Sequence, residues 1–200
     1  MSVILGINAY HPGASAAIIV DGIPVAAMAE ERLNRVKYFA GFPTLAIRQC
    51  LEIAGLNLGE VDVVSIGRSP NANLGRKVLY ALTHPSKFFN LQKIKYSRSG
   101  LESIRQLIAT QFDTDPQQLR FTVEFVEHHL AHIASAYFIS PWDKSAGISI
   151  DGSGDFVSCM MAACEGSDIN VIKRLFVPHS LGTLYTTISE FIGYGKYGDE

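Results

Sequence analysis

The chain is poor in the features that mark extracellular, membrane or nucleic-acid-binding proteins. It has three cysteines, Cys50, Cys159 and Cys164, an odd number spaced neither as a zinc knuckle nor as a redox pair. No disulfide framework is indicated, and a reducing cytoplasm is the expected setting. No window approaches the roughly 20 apolar residues of a membrane helix. The N-terminus, MSVILGINAYHPGAS, has no basic leader and breaks its apolar run at Asn8 and His11, which argues against a signal peptide. Charge of neither sign dominates: a net −2 gives no whole-chain field toward nucleic acid or an acidic membrane. Short-period repeats and low-complexity tracts are missing too. What remains is a globular chain of 200 residues, 48% hydrophobic, long enough for one good core or two small ones, with a small molecule as the expected partner.

Hydrophobic patterning supplies the elements. VILGIN and then ASAAIIVDGIPVAAMAEER read as three successive strands, the last two joined at Asp21-Gly22, a pair suited to the positive φ angles of a tight hairpin turn. Residues 44–55 show helical spacing with a glycine stop, and VDVVSIG follows as a buried strand. Between 74 and 105, Arg76, Lys77, Lys87, Lys93, Lys95, Arg98 and Arg105 face one acidic residue, Glu102. The spacing predicts helices broken at His84-Pro85, whose basic run is a solvated face or a phosphate contact. From 121 onward the pattern is strand FTVEFV, helix LAHIASAYF, turn ISPWDK, strand SAGISID, glycine-rich turn GSGD, strands FVSCMMAAC and INVIKRLFV, and a helix from about 181. The final FIGYGKYGDE ends without a polar tail, so a truncated chain is expected.

Half of the six histidines fall within five positions of EHHLAHIASAYF. Four residues is slightly more than one helical turn, so His128 and His132 share a face as two imidazoles binding one ion must, while His129 points elsewhere. Two histidines near a helix start, satisfied by backbone or water, give the same bare pattern. The apolar strand ending at Asp151 follows after a short turn and can return toward the helix start, so its carboxylate completes a two-imidazole, one-carboxylate set. Such a set suits a divalent metal acting as Lewis acid, and iron(II) and zinc both fit. Gly152, Ser153 and Gly154 then form a turn without bulky side chains, where backbone N–H groups can approach a phosphoryl or carbonyl oxygen; a plain turn between strands reads identically. His11 sits in the bend after the first strand, where a neutral imidazole can take a proton from an attacking hydroxyl. In EERLNRVKYFAGFP, Arg35 and Lys37 are candidate phosphate contacts at a charged strand exit.

In this order, LGINAYHPGASAAIIVDG, AEERLNRVKYFAGFP, EHHLAHIASAYF, DGSGD and SLGTLYTTISEFIGYGKYGDE resemble the carbamoyltransferase family that includes the nodulation-factor and antibiotic-tailoring O-carbamoyltransferases. Similar motifs occur in tRNA threonylcarbamoyl-transferring and hydrogenase-maturation enzymes. The resemblance implies an α/β, actin-like (ribonuclease-H-like) fold, with residues 1–200 as the N-terminal lobe and the second lobe and a carbamoyl-adenylate-forming C-terminal domain absent. It implies that His128, His132 and Asp151 are metal ligands, with iron typical and zinc an alternative, and that His11 lies near the carbamoyl group and the acceptor hydroxyl. ATP and carbamoyl phosphate are the implied substrates and a small hydroxyl-bearing molecule the acceptor. Gly152, Ser153, Gly154, Arg35 and Lys37 remain the candidate nucleotide and carbamoyl contacts on their own chemistry, and the closing Asp199-Glu200 joins them because it resembles the start of the family's nucleotide-contacting G-D-E-G-K motif. The family commonly has H-D-A/S-S-A where this chain has HPGAS. Two readings stand beside this one: threonylcarbamoyl transfer to tRNA, which calls for a basic surface that net −2 does not favour, and a non-catalytic actin-like nucleotide-binding module. A homo-oligomer stays open.

Overall fold

The computed structural model describes residues 1–84 and 104–195, which form two compact units. Lys87, Lys93, Lys95, Arg98 and Glu102 of the basic segment, and Asp199 and Glu200, lie outside the described residues.

The first unit takes residues 1–67 and 104–125. Strands β1 (Val3–Asn8), β2 (Ser15–Val20) and β3 (Ile23–Ala29) form an antiparallel meander. The β2–β3 turn is at Asp21-Gly22, as expected, with φ of 49° and 82°. On the other edge of β1, β4 (Val63–Ile66) and then β5 (Thr122–Phe125) add in parallel, giving the order β3-β2-β1-β4-β5. A mixed sheet with a hairpin meander on one side of its first strand and parallel strands on the other is the actin-like, ribonuclease-H-like arrangement expected from the sequence. Alternation on β1 buries Val3, Leu5 and Ile7 against Ala46, Ile47, Cys50 and Leu51 of helix α2 (Thr44–Ala54), which ends at Gly55. The segment after β3, read from sequence as a charged strand exit, is a short helix α1 (Glu30–Asn34). Its Glu30 is buried, because the carboxylate accepts the first N–H groups of α2, from Leu45 at 3.2 Å and Ala46 at 2.7 Å.

The second unit takes residues 68–84 and 126–195. Helix α3 (Leu74–Thr83) ends before His84-Pro85 as expected, and α4 (Ile104–Phe112) belongs to the first unit. Strands β6 (Lys144–Gly154), β7 (Val157–Glu165) and β8 (Asp168–Phe176) form an antiparallel meander, carrying α5 (His128–Tyr137) and α6 (Leu181–Phe191). Ile133 and Tyr137 of α5 pack on Val157, Met160, Ala162 and Cys164 of β7. The expected glycine turn at 152–155 is displaced: β6 runs on through Gly154, and the turn is made by Asp155 and Phe156 at φ of 50° and 74°. Among the described residues, no helix is long and apolar enough to cross a membrane.

A candidate cation site on α5 and β6

Two periodicities meet at the site. Alternate residues of a strand share a face, so Gly147, Ser149 and Asp151 point the same way along β6. On α5 the helical period brings Ile133 and His129 to that face in the opposite direction, with His128 at the helix start. Ile133 and His129 are four helical residues apart, a rise of about 6 Å, close to the advance from Gly147 to Ser149, so those two contacts stay in step, and the His128 side chain reaches Asp151 beyond them. Gly147 faces Ile133, where an added Cβ would lie 2.6 Å from Cγ2; Ser149 faces His129; Asp151 faces His128. The bare glycine lets the helix lie this close to the strand.

His129 is fully buried. Its Nδ1 accepts from the Ser149 hydroxyl at 2.8 Å and its Nε2–H donates to the Val157 carbonyl at 2.9 Å. Burial pushes its pKa down, so it is a neutral packing residue that locks α5 to the sheet, consistent with its pointing away from the other two.

Those two converge with the aspartate. Nε2 of His128 lies 2.8 Å from Oδ2 of Asp151 and 3.1 Å from Nε2 of His132. Ligand atoms of His128, His132 and Asp151 all lie within 4.8 Å of one another, the one such His/Cys/Asp/Glu cluster among the described residues. His132 is exposed and the other two half-buried, so the cluster opens to solvent on one side. The hydrogen bond with His128 holds the Asp151 carboxyl well below the usual carboxylate range, outweighing burial and aided by the Gly152 N–H at 2.6 Å. Asp151 stands where the ladder breaks. Ile150 pairs with Cys159 and Gly154 with Val157, so Asp151, Gly152 and Ser153 stand opposite Ser158 alone. Such a bulge re-aims side chains. Two imidazole nitrogens and a carboxylate oxygen are the donor types of zinc and non-haem iron sites, and the residues present fit a divalent ion.

The remaining sequence candidates are placed differently. Gly152 spends its N–H on Asp151, Ser153 is exposed, and Gly154 is buried under His128, where a Cβ would come within 2.0 Å of the ring. His11 belongs to the first unit, in a bend held by Tyr10 N–H to Gly41 O and Ala14 N–H to Phe39 O, both 3.1 Å. Its Nδ1–H donates to the Pro12 carbonyl at 3.0 Å, which makes Nε2 the basic nitrogen of the neutral ring. Arg35 and Lys37 are exposed residues of that unit, with the Lys37 ammonium 4.9 Å from the Tyr38 ring centroid. Missed from sequence were Ser149 as the partner of His129, Gly154 as the floor of the His128 ring, and Glu127, which accepts two hydrogen bonds from Arg174 at 3.0 and 2.7 Å. The alternation 147-149-151 was the available signal for the first.

A family model described as "Carbamoyltransferase N-terminus" matches residues 3–200. The chain belongs to that family. Nodulation protein NolNO of Sinorhizobium fredii is 33% identical over 195 residues, covering 96% of this chain and 27% of NolNO. An uncharacterized Synechocystis protein is 33% identical over 203 residues, covering 97% of this chain and 32% of its own length. The carbamoyltransferase N-terminal chain thus spans about a third of these curated relatives, by the 27% and 32% coverage. Among solved structures, YeaZ from Pseudomonas aeruginosa aligns with a TM-score of 0.45 at 15% identity, over 89% of this chain and 68% of YeaZ.

Proposed function

We propose that this chain is the N-terminal part of an O-carbamoyltransferase that moves a carbamoyl group from carbamoyl phosphate, through a carbamoyl-adenylate made with ATP, to a hydroxyl of a small acceptor. The observation that carries the reading is the convergence of His128, His132 and Asp151 in a family whose shared chemistry is carbamoyl transfer. These three would hold a divalent ion, iron(II) in preference to zinc. When bound, that ion supplies Lewis-acid polarisation of a carbonyl oxygen. His129 and the bulge at Asp151 keep the ligands oriented without reaching the reacting atoms. His11 takes the acceptor hydroxyl proton on Nε2, the freed oxygen bonds to the carbamoyl carbon, and the bond from that carbon to the adenylate oxygen breaks with AMP leaving. Arg35, Lys37 and Ser153, together with the peptide groups of Gly152 and Gly154, are assigned to nucleotide and carbamoyl binding, as are Asp199 and Glu200.

Titration of the chain with Fe2+ under nitrogen, or with Zn2+, should find one ion per chain, lost in His128→Ala and His132→Ala. Unchanged binding in both variants would remove the site. In an active preparation, His11→Asn should still form adenylate and bind the ion yet fail to carbamoylate the acceptor; retained transfer would remove His11 from the reaction.

A further inference from the structure

We propose that Asp155 is a positioning residue for the cation site: its carboxylate ties the first turn of α5, and with it His128, to the end of the strand that carries Asp151. The inference rests on the reading of His128, His132 and Asp151 as ligands. The first N–H groups of a helix have no partner inside it. In α5 the residue at the N-cap, Glu127, makes no side-chain cap bond. Instead Oδ2 of Asp155, four residues beyond Asp151 on the far side of the bulge, accepts the His128 N–H at 2.9 Å and the Ser69 N–H at 2.8 Å. A cap from the helix's own flank would steady α5 alone. A cap from the β6 turn also fixes the offset between the two elements on which the ligands stand.

The surroundings hold Asp155 in turn. Its φ of 50° is a conformation that few residues other than Gly, Asn and Asp adopt readily. Asn73 Nδ2 donates to the Asp155 carbonyl and to Oε1 of Glu127, each at 3.1 Å, and Glu127 is gripped by Arg174. The turn after β6 and the start of α5 are therefore joined both directly, Asp155 to His128, and through Asn73 to Glu127. Both N–H bonds meet a single carboxylate oxygen, so a carbonyl oxygen in its place should serve them; the carboxylate charge acts besides on the Lys77 ammonium.

Two variants separate these roles while keeping the turn. Asp155→Gly removes the acceptor and is at ease at positive φ; Asp155→Asn tolerates that conformation and keeps one acceptor oxygen. Zn2+ affinity by calorimetry and the visible absorption of bound Co2+ are the readouts, with His132→Ala as the ligand control. Asp155→Gly should bind Zn2+ about 10- to 100-fold more weakly, the usual effect of losing a group that orients a ligand, with an altered Co2+ spectrum. Asp155→Asn should stay within about threefold of wild type in both readouts. Loss in His132→Ala with wild-type affinity in Asp155→Gly overturns the positioning role alone, and equal loss in the Gly and Asn variants replaces it with a role for charge. Failure of the wild-type chain to bind either ion overturns the ligand reading and this inference with it. Should Asp155→Gly not fold, amide exchange on the wild-type chain decides: a protected His128 N–H supports the tie, and one exchanging at an open-chain rate overturns it.

Discussion

His128 and His129 are adjacent in the chain and opposite in chemistry, because 100° of helical rotation sends one ring to Asp151 and the other to Ser149 and the Val157 carbonyl. The pairing of His128 with His132 was legible in the sequence, since the four-residue spacing is a property of the helix itself. So was the return of Asp151, since one short turn links helix to strand. The role of Gly154 was not legible. The space on its Cβ side is taken by the ring of His128, and only the packing of two elements separated in sequence decides that. Gly154→Ala should therefore displace the imidazole and weaken Zn2+ binding about tenfold or more. Gly152→Ala, whose Cβ would meet nothing within 4 Å, should leave the calorimetric titration unchanged. Similar affinities for the two variants would show that the ring tolerates the added methyl.

At the level of elements, the Asp21-Gly22 hairpin was found from sequence because turn chemistry is local. The β6–β7 turn was misplaced because it uses Asp155 and Phe156 at positive φ, and propensity does not favour phenylalanine there. Glycines 152 and 154 drew attention away from it; they serve a bulge and a close contact instead. Helix α1 was missed for a similar reason. Glu30 looks like a surface charge until α2, whose start it caps, is folded over it. A buried acceptor whose removal strands two N–H groups is costly: Glu30→Ala should lower stability by about 1–3 kcal/mol, measured by urea denaturation and read on the first unit. A change under about 0.5 kcal/mol, the size typical of surface substitutions, would show that water replaces the carboxylate. Glu30→Gln, which keeps one acceptor, should lie between.

For the molecule as a whole, the three thiols report on the units separately. Cys50 is buried in the first unit and Cys159 and Cys164 in the second, and burial pushes the Cys50 thiol up, further from the reactive thiolate. None should react with an aromatic disulfide reagent while the chain is folded, and all three should react in denaturant. Because the ligand trio lies wholly in the second unit, adding Zn2+ at about 100 times its dissociation constant should stabilise that unit by about 2.7 kcal/mol. Labelling of Cys159 and Cys164 should then need more denaturant, while Cys50 should not shift. A matching shift at Cys50, mapped by mass spectrometry, would mean that the units unfold as one. That the fold divides in two was foreshadowed by the second hairpin-bearing stretch after residue 121, but composition alone did not draw the boundary, since both halves are similarly apolar.

The trio also sets where the chain can change length. His128 and His132 stand just over one turn apart on α5, so a residue inserted between them would swing one imidazole about 100° around the axis and break the set at a stroke. Residues added to the connection between α5 and β6 alter no ligand's bearing, so lineages lengthening this stretch should do so after Tyr137 and leave the span from 128 to 132 untouched.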